Sequence, residues 1–129
     1  MAGPTPTPEA HVAGDPLIGD LRRAGLLRLL VLHYLSVEDC YGNQLMDRIA
    51  ALTEGAIAVN PNTMYPLLRQ LEAQGFARGE WEHPERRSKR YYRITDAGRA
   101  EHERLSAEVA PRLDRIAGSI EAIRDEVLR

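Results

Sequence analysis

The stretch Asn60-Pro61-Asn62-Thr63-Met64-Tyr65-Pro66-Leu67-Leu68-Arg69-Gln70-Leu71-Glu72-Ala73-Gln74-Gly75 decides the fold. It opens with cap-forming residues around a proline, the composition of a helix start. Met64, Leu67, Leu68 and Leu71 then recur at i, i+3, i+4 and i+7, which predicts one buried stripe. The opposite face carries Asn62, Tyr65, Arg69 and Ala73. Pro66 fits if the helix begins near Thr63, because first-turn amides have no intrahelical acceptor. Gly75 is placed to close the helix in a left-handed cap.

Downstream, Phe76 to Glu82 and Arg90 to Ile94 read as two strands of an antiparallel hairpin. The tip between them, His83-Pro84-Glu85-Arg86-Arg87-Ser88-Lys89, is polar, turn-prone and basic. Thr95-Asp96 then starts a last helix with a capping hydroxyl and a first-turn acid. In it Val109, Leu113, Ile116, Ile120, Ile123 and Val127 are spaced 4, 3, 4, 3 and 4. That is the seam of a helix packed on a partner helix. Pro111 interrupts it, so a kink or break is expected near Ala110.

Upstream, Leu17 to Leu35 reads as one helix whose second half has little polar face. Ser36 to Cys40 reads as a polar turn. Tyr41 to about Leu52 reads as a second helix, with Leu45, Ile49 and Leu52 at helical spacing. After Gly55, the apolar run Ala56 to Val59 is a candidate edge strand. Residues 1–15 are rich in Pro, Thr, Ala and Gly and read as a disordered tail. The expected division is therefore a tail at 1–15, a winged helix-turn-helix domain at 16–94 and a dimerisation helix at 95–129. The fold class is mainly α with a small β-hairpin.

Composition narrows the function. With 129 residues and 43% hydrophobic residues, the chain has room for one packed core. The net charge of −2 hides an uneven distribution. Residues 60–94 hold seven Lys or Arg against four Glu, whereas the segments on either side are net acidic. Cys40 is the single cysteine, so no intrachain disulfide forms; the expectation is a structural residue at a helix boundary, in a reducing compartment. The longest apolar run, Leu26 to Leu32, is broken by Arg28 and is too short for a bilayer. With no signal-peptide pattern, the expected location is cytoplasmic and no membrane partner is expected. The four histidines are scattered without metal-ligand spacing, and no phosphate loop or nucleophile elbow is present. An enzyme, a metal and a cofactor are all unexpected.

Helix, turn, helix and basic hairpin, in that order, make a DNA-reading layout. Short polar groups at a helix start reach base edges, and cations sit where phosphates pass. Asn62, Thr63, Tyr65 and Arg69 supply the first; Arg86, Arg87, Lys89 and Arg90 supply the second. The rival reading is a winged helix that binds protein. Its wing would more naturally show exposed apolar residues than this cation cluster.

Four segments resemble the PadR family of transcriptional regulators. They are Leu26 to Leu35 followed by Tyr41-Gly42, the stretch Asn60 to Gly75, the tract Arg86 to Tyr92, and Ile94-Thr95-Asp96-Ala97-Gly98-Arg99. Asn62 stands where that family commonly has Gly, and Asn43 where a second Tyr often follows. The short C-terminal part is similar to the subfamily with a single dimerisation helix. The resemblance implies a homodimer on a pseudo-palindromic stretch of double-stranded DNA, repression as the default, and release by a small-molecule effector. It implies that Tyr41, Thr63, Tyr65 and Arg69 contact phosphate or base edges, with Arg86, Arg87 and Lys89 as wing contacts. The dimer interface is expected from Leu26, Leu30, Val109, Leu113, Ile116, Ile120, Ile123 and Val127. In some relatives of this family, aromatic side chains line an effector pocket at the dimer interface. Trp81, the single tryptophan, is instead expected to pack against the core or the last helix.

Overall fold

The structure is a computed structural model that describes residues 16–85 and 89–129. The chain runs α1 (Pro16–Arg23), α2 (Leu26–Val37), β1 (Cys40–Tyr41), α3 (Gly42–Leu52), α4 (Pro61–Ala73), β2 (Ala77–Trp81), β3 (Arg90–Ile94) and α5 (Asp96–Val127). Its described residues divide into two compact units, Leu27–Arg104 and a second made of residues 16–26 with Leu105–Arg129. The expected tail at 1–15 lies outside the described residues.

Within Leu27–Arg104, α2, α3 and α4 bury Val31, Leu32, Leu35, Leu45, Ile49, Met64, Leu68 and Leu71 almost completely. The stripe read in α4 is therefore core, with Leu67 half-buried at its edge. In α3 Leu45 and Ile49 are core, but Leu52 at the end is exposed. The sheet is antiparallel in the order β1-β3-β2. β2 pairs with β3 from Ala77↔Ile94 to Trp81↔Arg90, and β1 pairs Cys40↔Tyr92 and Tyr41↔Tyr91. Inward-facing Ala77, Tyr92 and Ile94 anchor the sheet on the helices.

Four expectations are corrected. Leu17 to Leu35 is two helices, because Gly25 turns the backbone to φ 103°, a left-handed value that ends α1. The third strand is Cys40–Tyr41, not Ala56 to Val59. That run is apolar because Ile57 and Val59 enter the core, and the Ile57 amide is satisfied locally by the Thr53 hydroxyl. α4 begins at Pro61 behind an Asn60 cap whose Oδ1 accepts from the Thr63 amide at 3.0 Å. Pro66 therefore sits inside the helix and denies the Asn62 carbonyl its usual donor. Finally, α5 continues through Pro111 without a break.

In the other unit, α1 contributes buried Leu21, and α5 contributes Leu105 and Val109. Arg112 reaches Asp20 at 3.6 Å. A side chain at Gly25 would collide with Leu105, a second reason for glycine there. Leu26 and Val109 are thus 6% and 0% exposed. Both were expected at a dimer interface, yet both are already used inside the chain. Leu30 and Ile116 are half-buried, and Leu113, Ile120, Ile123 and Val127 remain exposed. Among the described residues no helix is long and apolar enough to cross a membrane.

Candidate nucleic-acid interface

The site is built on α4. With Met64, Leu68 and Leu71 pinned in the core, the helix must present Asn62, Tyr65 and Arg69 outward, and all three are exposed. Thr63 is exposed beside them. Tyr65 lies across the start of α3, where a side chain at Gly42 would strike its ring; glycine there lets the two helices close up. Tyr41 precedes α3, and its amide donates to Gln44 Oε1 at 2.8 Å.

A cleft of about 610 Å³ opens between these helices and the sheet. Tyr41, Tyr65, Trp81 and Tyr92 line it, with Lys89 and Arg90. Lys89 Nζ stands 5.5 Å from the Tyr41 ring centroid, a cation–π arrangement. Partial burial and a hydrogen bond to Glu82 raise the Tyr41 phenol above its ordinary value, so it stays a neutral donor at pH 7. Trp81 is half-buried and lines this cleft under Arg90.

The charge count overstates the positive field, because several cations already hold carboxylates. Arg93 pairs with Asp39 at 3.2 Å, and Arg48 pairs with Glu38. Arg90, read from the sequence as a phosphate contact, bonds Glu72 of α4 at 2.5 Å. Its guanidinium also lies 5.3 Å from the Trp81 centroid and 5.8 Å from that of Tyr92. Arg90 therefore fastens wing to helix through a guanidinium that is already paired. Among the described residues Arg69 and Lys89 have no carboxylate partner. Arg86 and Arg87 lie outside the described residues.

Sequence reasoning missed the residues that hold α4 from its sides. Arg28 of α2 donates to Gln70 Oε1 at 3.3 Å and Gln74 Oε1 at 2.8 Å, and approaches Glu101 at 3.7 Å. Glu101, the one buried charged residue among those described, takes a two-pronged contact from Arg104 at 2.9 and 2.7 Å. The break of a leucine run by Arg28 was visible in the sequence, but not its partners. Among the described residues no three His, Cys, Asp or Glu gather as a metal site.

Three-helix core, outward-facing fourth-helix residues and antiparallel wing define a winged helix-turn-helix regulator. The chain belongs to the transcriptional regulator PadR-like family, whose model matches residues 31–104. It is similar to the transcriptional regulator Rv3488 of Mycobacterium tuberculosis, 36% identical over 81 residues, which cover 63% of this chain and 72% of that one. A PadR family transcriptional regulator from Eggerthella lenta is 33% identical with TM-score 0.61, over 81% of this chain and 89% of that one. A transcriptional regulator from Clostridium thermocellum, 21% identical, shares the fold at TM-score 0.60, over 84% and 95%. The chain is accordingly a transcriptional regulator and not an enzyme.

Proposed function

We propose that the chain is a repressor that binds a pseudo-palindromic operator as a homodimer. The observation that carries this is the exposed face Asn62, Tyr65 and Arg69 on a helix whose other faces are fixed. Asn62, Thr63, Tyr65 and Arg69 read base edges and nearby phosphates. Tyr41 and Lys89 bind phosphate beside them, together with Arg86 and Arg87. Arg90 has no part in this set, since Glu72 holds it. The exposed residues of α5 form the interface between the two copies.

Release by a small molecule belongs to the same reading. The cleft's volume is in the range of small-ligand sites, and an occupant would compete with DNA for Tyr41, Tyr65 and Lys89.

Fluorescence anisotropy on the protein's own promoter and on random duplex, across a salt series, tests the proposal. Promoter preference with a steep fall as salt rises is the expected result. Arg69→Ala should cost about 1–3 kcal/mol on the promoter and little on random DNA, whereas Lys89→Ala should weaken both alike and lower the salt slope by about one. Equal losses on both DNAs for both variants would overturn the division of labour. No binding at low salt would leave the protein-binding reading.

A further inference from the structure

On a helix successive residues turn by about 100°, so with Asn62 at zero the core stripe Met64, Leu68 and Leu71 centres near about 200°. By the same count Gln70 and Gln74 lie near about 100° and Glu72 near about 280°. These are the two opposite flanks of α4, between the core below and the exposed face above. Each flank is gripped by one guanidinium. Arg28 holds Gln70 and Gln74 at 3.3 and 2.8 Å; Arg90 holds Glu72 at 2.5 Å.

Both grips are themselves braced. The Arg28 side chain is only 22% exposed, lies 6.0 Å from the Phe76 ring centroid and faces Glu101. The Arg90 side chain is 28% exposed and is set against Trp81 and Tyr92. Glu72 also accepts from the Gly79 amide at 3.2 Å, and a side chain at Gly79 would collide with the Arg90 guanidinium. Apolar packing leaves a helix some freedom to roll about its axis, because it is non-directional. Bonds on both flanks remove that freedom. Base readout needs side chains held to within about 10–20°.

We infer that Arg28 and Arg90 are specificity-determining positioning residues: they set the roll of α4, and so the aim of Asn62, Tyr65 and Arg69, without touching DNA. The inference rests on the DNA-binding reading above.

Salt dependence separates positioning from contact. A phosphate contact contributes to the salt slope, whereas a positioning residue does not. Arg28→Gln and Arg90→Gln are measured by anisotropy on promoter and random duplex, beside the wild type. The expected result is a loss of about tenfold in the promoter-to-random ratio, the scale of one misaimed base contact, with the salt slope unchanged. Arg28→Lys and Arg90→Lys keep the charge but lose the forked geometry, so they should fail to restore the ratio. If either Gln variant does not fold, Gln74→Ala or Glu72→Gln tests the same grip from the helix side. An unchanged ratio overturns the inference, and so does a slope reduced by about one with equal loss on both DNAs. Absence of promoter preference in the wild type would instead overturn the DNA-binding reading itself.

Discussion

Glu101 is held ionised in a buried place by two arginines. The hydrogen bonds from Arg104 come first in lowering its pKa below the ordinary value near 4.5; burial opposes them, and the charges of Arg104 and Arg28 assist. A carboxylate depressed on folding adds stability above its unfolded pKa, and that stability is lost as pH falls through the folded value. Glu101→Gln should therefore cost about 1–2 kcal/mol at pH 7 in a urea titration. The same variant should flatten the loss of stability below about pH 4.5. A variant whose stability falls with acid as steeply as the wild type's would show that the pair contributes nothing to the linkage. Residue-scale meaning of this kind is the part least legible in the sequence. Arg90 and Glu72 are 18 positions apart, and only the docking of β3 against α4 brings them together. A charge count records the cation and not its partner, which is why Arg90 read as a phosphate contact. Asn62, Tyr65 and Arg69 were legible because exposure follows from the phase of the core stripe on a single helix.

The junction between β3 and α5 is the element most tightly specified by local chemistry. Thr95 Oγ1 accepts from the Gly98 amide at 3.0 Å, capping α5, and donates to the Gly75 carbonyl at 2.6 Å, closing the end of α4. A side chain at Gly98 would strike the Phe76 carbonyl and Ile94. Backbone cannot give way as a flexible side chain can, so Gly98→Ala should cost about 1–3 kcal/mol. A thermal melt that matches the wild type would show that the junction relaxes freely. At this scale most of the fold was legible: α3, α4, the hairpin and the Thr95 cap follow from period, caps and turn residues. The helix break at Gly25 was marked by Arg22-Arg23 ahead of a glycine, but Leu21 and Leu26 on either side of it are both buried and read as one helix. β1 has two residues, too few for any periodicity, and exists because β3 offers an unpaired edge. Ala56 to Val59 misled for the converse reason: apolar residues mark burial, and burial does not require a strand.

At the scale of the whole molecule, the second half of α5 has more apolar surface than one chain covers. Leu113, Ile120, Ile123 and Val127 are 43%, 47%, 61% and 69% exposed, along the seam read from the sequence. Such a stripe marks an interaction surface, and a second copy offers the matching one. The wild type should sediment at twice its 14.5 kDa. Ile120→Asp with Ile123→Asp should give a folded monomer, because both positions lie outside the chain's own core. Val109→Asp should behave differently, since that side chain is fully buried: a fall in melting temperature is expected in place of a clean monomer. The monomer should also lose DNA affinity without any change at Asn62, Tyr65 or Arg69. Two reading helices on one dimer make the second contact intramolecular, and removing that advantage should cost about 100-fold on the promoter. A wild type that sediments at 14.5 kDa would end the dimer reading. An Asp variant that is monomeric yet binds the promoter as tightly would confine operator recognition to a single copy.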